Sequence, residues 1–176
     1  MKKLFISLLL TLSFLPAIAG TKLVSGDLGV LYGTKQVPVM LNWDNAIFGK
    51  NGTLDDFLSK AYRSETWESQ SLGYFIKEVN KKITEYGTKV LSDNGENAGP
   101  YIIEITVNSI SKGGDIKGYI YMKDIESNSN VATVEFSSDE SDNDDEIAFR
   151  DQLENIGGNY GKMLEKALKK AYKQSK

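Results

Sequence analysis

The sequence predicts an α+β fold, an antiparallel sheet of about five strands with three helices mainly on one face. Segments with a period of two residues come in groups joined by short polar turns. Segments with helical spacing lie in the middle and at the end of the chain. Such grouping, rather than strict alternation of strand and helix, indicates an antiparallel sheet covered by helices. No internal repeat or long linker divides the chain.

The N-terminus has the features of an export signal. Residues 1–19 begin with two lysines, continue with the apolar run Leu4–Leu15, and present Ala17 and Ala19 before a cleavage point at Gly20. A bilayer needs about 20 apolar residues, so this run is too short to span one. We therefore predict a signal peptide and a periplasmic or secreted protein.

The remaining residues, 20–176, are predicted to form a single α+β domain. The whole sequence contains no Cys and no His, and without the signal it has 19 Lys and Arg against 24 Asp and Glu. It therefore has no disulfide framework, lipid-anchoring cysteine, thiolate nucleophile or imidazole metal site. The acidic balance argues against nucleic acid as a partner. No second apolar run suggests a membrane span, so we expect a protein that is not integral to the membrane.

The first half of the domain is predicted to begin with strands. Lys22–Val24, Leu28–Leu31 and Gln36–Trp43 contain β-branched and aromatic residues between turn-forming ones. Pro38 cannot donate a main-chain hydrogen bond and so predicts an edge position. Asn51–Gly52 then marks a turn.

Two helices are predicted to follow. Thr53 resembles a helix cap, and apolar residues in Leu54–Tyr62 then recur with helical spacing. A second apolar stripe extends over Leu72–Tyr86 and ends at Gly87, a typical helix terminator.

The second half is predicted to be a three-stranded meander and a terminal helix. Side chains alternate between apolar and polar over residues 103–107, and turns lead into Ile116–Ile125 and Val131–Phe136. The apolar stripe of the last helix covers Leu153–Ala171. The predicted core comprises Leu58, Phe75, Ile76, Val79, Ile103, Ile105, Val107, Ile120, Val134 and Leu164.

Three glycines fall within the predicted last helix, at Gly157, Gly158 and Gly161. They do not follow a strand at the opening of a helix, so they do not form a dinucleotide-binding turn. Each glycine costs a helix about 1 kcal/mol relative to Ala. Gly157 and Gly161 share one helix face, which predicts close approach to the sheet or to a neighbouring helix; a local break is the alternative.

The run Asp139–Glu146 is the densest group of acids. Calcium loops need a Gly at the sixth position and a Glu at the twelfth, and the registers starting at Asp139 and Asp142 both lack them. A solvated loop with acids at a helix N-terminus is the favoured interpretation. Calcium binding by this run stays open, and we assign no metal site.

Two surfaces are candidates for interaction. Tyr119 and Tyr121 share one strand face, opposite Ile120 and Met122, and with Trp43 and Trp67 they are candidates for an aromatic platform. Aromatic residues are common in strands, so a structural role is the favoured interpretation. The last helix carries a basic face that suits an anionic envelope surface or an envelope protein, although lysines are also favourable at any helix C-terminus. Its candidate residues are Lys166, Lys169, Lys170 and Lys173.

Parts of the chain resemble a group of uncharacterised small secreted proteins of anaerobic, Bacteroides-like Gram-negative bacteria. The resemblance covers most of the domain and lies in Gly20–Leu28, Val39–Ala46, Gly113–Gly114 and Gly157–Leu168. It brings no catalytic residue with it. The element order is also similar to envelope domains of outer-membrane assembly and transport systems and to the N-terminal domain of the Tol translocation protein. This implies a role in the envelope.

We therefore expect a non-enzymatic binding or interaction module of the envelope, with no catalytic residue and no cofactor. The alternative is a small-ligand-binding protein or a hydrolase that uses a pair of carboxylates. An enzyme would require acids in a cleft with their pKa values separated, and every acidic cluster is predicted to lie in a loop or on a helix surface.

Overall fold

The computed structural model describes residues 20–48, 67–93, 99–111, 115–138 and 145–176. The two long helices are α1, Trp67–Ile83, and α2, Asp145–Gln174. Short 3-10 helices cover Leu28–Leu31 and Thr84–Tyr86. The strands are β1 Gly20–Gly26, β2 Gln36–Asn42, β3 Ile47–Phe48, β4 Lys89–Ser92, β5 Tyr101–Ile110, β6 Ile116–Asp124 and β7 Ser129–Ser138.

These strands form one mixed sheet in the order β1-β7-β6-β5-β2-β4, and the two-residue β3 pairs beside β2 with β5. The predicted α+β class is confirmed, and so is the antiparallel meander β5-β6-β7. The prediction of an all-antiparallel sheet is wrong, because β2 runs parallel to both β4 and β5. The described residues contain two long helices rather than three. The predicted helix over Leu54–Tyr62 lies outside them.

The parallel pairing of β2 with β4 follows from the connection between them. Helix α1 carries the chain back along the sheet, so β4 enters in the same direction as β2. The sequence analysis missed β4, whose four residues have no clear pattern. It also predicted a strand at Leu28–Leu31, which is instead a 3-10 helix. Asp27 caps this helix, accepting a hydrogen bond from the Gly29 N–H at 2.8 Å.

Pro38 lies in an internal strand and is buried, so the predicted edge position is wrong. The carbonyls of Lys35 and Val39 accept hydrogen bonds from N–H groups of the β4 segment. Main-chain polar groups of successive residues point to opposite sides of a strand, so those of Pro38 face β5. Pairing with β5 begins only at Val39. The missing N–H of Pro38 therefore falls just before that ladder starts.

The core lies between the sheet and the two helices. The predicted register of β5 is confirmed, because Ile103, Ile105 and Val107 are buried while Glu104 and Thr106 lie on the other face. The predicted core is confirmed at eight positions, whereas Ile76 is only partly buried and Leu58 lies outside the described residues. The eight are Phe75, Val79, Ile103, Ile105, Val107, Ile120, Val134 and Leu164.

Close approach at the glycines of α2 is also confirmed, and the neighbour is helix α1. A Cβ on Gly157 would lie 2.7 Å from the carbonyl oxygen of Phe75, and one on Gly161 would lie 3.1 Å from the Cα of Val79. Helix α2 continues unbroken through this region. The glycines therefore allow the two helix backbones to contact each other.

Candidate functional site

The last three turns of α2 present one apolar and one basic face. Leu164 and Leu168 are fully buried in the core. The predicted basic residues all lie on the exposed surface of the helix: Lys166, Lys169, Lys170 and Lys173. Lysines here also suit the negative end of the helix dipole. The same segment thus anchors the helix and displays positive charge.

Tyrosines from separate parts of the chain meet the end of α2. The rings of Tyr32, which follows the first 3-10 helix, and Tyr172 of α2 lie edge to face, with centroids 6.2 Å apart. The Ser175 hydroxyl donates a hydrogen bond of 3.2 Å to the hydroxyl of Tyr32. Lys176 Nζ lies 4.5 Å from the centroid of the Tyr172 ring, within reach of a cation–π interaction. These contacts hold the C-terminus against the body of the domain.

A groove of about 660 Å³ opens between these side chains. We call it the Lys/Tyr groove. It is lined by Tyr32, Glu85, Tyr86, Lys169, Tyr172, Lys173 and Lys176. A smaller depression of about 360 Å³ shares Lys169 and Lys173 with it and also reaches Lys166 and Lys170. The predicted basic residues therefore border two adjoining concave surfaces.

The groove combines free positive charge with aromatic surface. Within the described ranges, the lysines at 166, 169, 170 and 173 take part in no ion pair. Tyr32 and Tyr172 are 37% and 42% exposed, so their rings are accessible to a ligand. A hydrogen bond with Glu85 raises the pKa of Tyr86, with burial and the charge of Glu85 acting in the same direction. The groove suits a ligand that carries several negative charges.

The sequence analysis identified the lysines and missed the tyrosines. Tyr172 lies within the lysine-rich segment and could have been noticed there. Tyr32 and Tyr86 are distant from it in sequence. No local pattern marks Tyr32, and Tyr86 ends the apolar stripe that predicts a helix, which indicates packing and not a groove. The first 3-10 helix packs against α2, and residues of the second line the same groove, so the fold alone brings these side chains together.

Tyr119 and Tyr121 lie on a different surface, the sheet face opposite the buried Ile120 and Met122. Their rings are stacked, with centroids 5.8 Å apart and planes 25° apart. Lys123 Nζ lies 5.9 Å from the centroid of the Tyr121 ring. Trp43 is 6% exposed in the core, so it does not contribute to the candidate platform, and the Trp67 side chain lies outside what the structure describes.

A polar network accompanies the tyrosine pair. The carboxylate of Glu104 forms an ion pair of 2.5 Å with Lys123 and accepts hydrogen bonds from Asn42 at 3.3 Å and Thr106 at 3.1 Å. Burial would raise the pKa of Glu104, but these donors and the positive charge of Lys123 hold that pKa below its usual value. An ionised carboxylate with three donors is a poor proton donor. We interpret this network as a structural link across β2, β5 and β6.

Neither a metal site nor a membrane span is evident in the part of the chain that the structure describes. No group of three or more acidic side chains there converges as metal ligands would. None of the described helices combines the length and apolar character needed to cross a bilayer.

Comparison with known proteins identifies a similar fold. No family model and no curated protein matches the chain. The PelC dodecamer from Paraburkholderia phytofirmans is similar over 84% of this chain and 98% of its own, with a TM-score of 0.52 and 7% identity. A single-residue variant of the same PelC covers the same shares, with a TM-score of 0.47 and 9% identity. At this identity the likeness shows the fold alone.

Proposed function

We propose that this chain is an exported, non-enzymatic binding protein of the cell envelope, and that the Lys/Tyr groove holds an acidic segment of a partner protein. The signal-like residues 1–19 support export. The observation that carries the binding proposal is the convergence of Lys169, Lys173 and Lys176 with three tyrosines around one groove. Separate parts of the chain contribute to it, so its form depends on the fold and not on a flexible tail.

The shape of the site favours a polypeptide segment over a flat membrane surface. A bilayer meets exposed protruding groups, whereas a chain can lie along a concave surface between side chains. Carboxylates of such a chain would pair with the lysines, and its apolar atoms would pack on the exposed rings of Tyr32 and Tyr172. Partner residues between the acids would thus add contact area.

The chemistry of the groove does not favour the hydrolase alternative. Glu85 is the acidic residue among the groove's lining side chains, and a carboxylate-based glycosidase needs two. Glu104, the part-buried acid of the sheet, has its pKa lowered rather than raised. A general acid needs a raised pKa to hold its proton near neutral pH. The groove therefore suits binding better than proton transfer.

The direct test is fluorescence anisotropy of a labelled oligoglutamate peptide with the chain from Gly20 onward. We expect binding at low salt that weakens as salt is added, because exposed charges are screened. The double variant Lys169→Glu with Lys173→Glu should bind at least about tenfold more weakly, equivalent to about 1.4 kcal/mol. Lys77→Glu with Lys117→Glu, at exposed lysines of α1 and β6, changes the net charge equally; it is the matched control and should bind like wild type.

Equal binding by the double variant and wild type would contradict the proposal, as would no binding by wild type. A second measurement separates a peptide partner from an anionic envelope surface. Sedimentation with vesicles containing phosphatidylglycerol should leave the protein in the supernatant. Vesicle binding without peptide binding would contradict a peptide partner and indicate that the groove binds a lipid surface. Circular dichroism of each variant would establish that the fold is retained.

A further inference from the structure

The most negative and the most positive segments of the chain lie at opposite ends of helix α2. Asp139–Glu146 has six acids in eight positions, and its last two residues are the first two of α2. The last fifteen residues, 162–176, have six lysines and one glutamate. Helix α2 has 30 residues, which corresponds to a length of about 45 Å. The two charged segments are therefore far apart within one copy.

The acidic run cannot reach the Lys/Tyr groove of its own copy. Ser138 pairs with Ile116, and the Ile116 N–H donates a hydrogen bond of 3.1 Å to the buried Oε1 of Gln152, in the first half of α2. The link from Ser138 to Asp145 is thus tethered at both ends near the start of the helix. Its contour length is about 25 Å, so its middle extends about 12 Å at most from its anchors. Lys169 lies about 35 Å along the helix from Glu146.

A second copy can supply the acidic run that the first copy cannot bring to its own Lys/Tyr groove. The groove lysines make no ion pair within the described residues, and the acidic run has the negative charge and the polypeptide chemistry that the groove suits. We propose that copies of this chain associate head to tail, with the acidic run Asp139–Glu146 of one copy bound in the Lys/Tyr groove of the next. This inference rests on the proposed function of the groove and names its partner.

Such a contact is heterologous, since each copy offers a different surface to each of its two neighbours. Heterologous contacts produce closed rings or open filaments rather than isolated dimers. Because the contact is largely electrostatic, assembly should depend steeply on salt. Both properties can be measured.

Sedimentation velocity of the chain from Gly20 onward tests the inference. In about 20 mM salt, where the Debye length is about 20 Å, we expect species larger than a monomer. In about 500 mM salt, where it is about 4 Å, we expect the monomer alone. Lys77→Glu, at an exposed lysine of α1, serves as control and should assemble like wild type.

Two charge variants make the test specific for a head-to-tail contact. The groove variant, Lys169→Glu with Lys173→Glu, keeps its acidic run. The acidic-run variant has its charges neutralised rather than reversed, by Asp139→Asn, Glu140→Gln, Asp142→Asn and Asp144→Asn, and keeps its groove. Each should be monomeric alone, because one half of every contact is missing. Mixed in equal amounts at low salt, they should form a heterodimer that does not grow further. Nonspecific charge attraction would not stop at two copies.

A monomeric wild type at low salt would overturn the inference, as would wild-type assembly by the groove variant or a mixture that forms no heterodimer. These results are distinct from failure of the proposed function. If wild type binds oligoglutamate yet stays monomeric, the groove binds another protein and only the inference fails. If it neither binds the peptide nor assembles, both fail. Matching circular dichroism spectra would exclude unfolding as the cause.

Discussion

Asn80 of α1 satisfies both main-chain polar groups of Val90 in β4. Its Oδ1 accepts a hydrogen bond from the Val90 N–H at 2.8 Å, and its Nδ2 donates one to the Val90 carbonyl at 2.7 Å. Strand β4 is the last of its sheet, and Lys89 and Asp93 direct their N–H groups to the β2 side. The N–H and carbonyl groups of Val90 therefore face the free edge of the sheet. One amide side chain takes the place of a further strand at this point.

We expect Asn80→Ala to destabilise the protein by about 1–3 kcal/mol, because it leaves two part-buried main-chain groups without partners. Asn80→Asp should cost at least as much at neutral pH, since it replaces the donor to the Val90 carbonyl with a negatively charged oxygen. Urea unfolding of each variant provides the measurement. Asn108→Ala, at an exposed asparagine of β5, is the control and should change stability by less than about 0.5 kcal/mol. Similar losses at both positions would contradict this role of Asn80.

Neighbouring glycines of α2 should respond in opposite directions to alanine. Gly157→Ala would place a methyl group 2.7 Å from the Phe75 carbonyl and should destabilise by about 1–3 kcal/mol. Gly158 has no atom within 4 Å of an added Cβ, so Gly158→Ala should stabilise by about 0.5–1 kcal/mol. Thermal unfolding of both variants tests the pair. Stabilisation by both would indicate that α1 and α2 do not touch at Gly157.

The hydroxyl of Tyr160 is buried and has no hydrogen-bond partner among the described residues. Its ring stacks on Phe75 with centroids 5.9 Å apart. Tyr160→Phe keeps that stacking and removes the unsatisfied hydroxyl, so we expect a gain of about 1 kcal/mol in the free energy of unfolding. A loss of similar size in urea unfolding would show that the hydroxyl is satisfied.

Tyr160 should also make stability sensitive to alkali. Burial raises the pKa of Tyr160, so the folded state keeps the neutral phenol where the unfolded state ionises. The contribution of this group is fully present below about pH 10, the unfolded pKa, and decreases as the pH rises above it. Wild type should therefore lose more stability than Tyr160→Phe between about pH 9 and pH 11.

Glu104 should contribute to the loss of stability in acid. Its pKa is lowered in the folded state, so its contribution is present above the unfolded value of about 4.3 and is lost as the pH falls through the folded pKa. Glu104→Gln should reduce stability by about 1 kcal/mol at pH 7 and show a smaller further loss at about pH 3 than wild type. Glu135→Gln, an exposed change on β7, is the control. If Glu104→Gln lost as much stability in acid as wild type does, this role of Glu104 would be contradicted.

The parts of the fold that were predictable from the sequence depend on local periodicity. The alternation over Ile103–Val107 indicates which face of β5 is buried, and the four-residue spacing of Gly157 and Gly161 indicates a helix contact. The direction of β2 was not predictable in this way, because it depends on a neighbour, β4, that is only four residues long. Asp27 caps the 3-10 helix at Leu28–Leu31. The sequence analysis predicted a strand there because the composition of these residues is typical of strands.

The candidate site shows the same limit. The lysines of α2 could be found because helical spacing places them on one surface. Tyr32 contributes to the groove only because its ring meets Tyr172 from the far end of the sequence. Tyr86 arrives there on a 3-10 helix after α1. Charge density is a local property of a chain, whereas the shape of a groove depends on contacts between distant segments.

The pairing of β1 with β7 determines the order in which this sheet can be completed. Gly20 pairs with Ser137, more than a hundred residues later, whereas β5, β6 and β7 are joined by short turns. A chain made from its N-terminus therefore contains β1 long before β1 has a neighbour. The meander can form early because its contacts are local, and distant pairings form slowly. Pulsed hydrogen exchange should find the amides of β1 among the last to be protected, so β1 would complete the sheet.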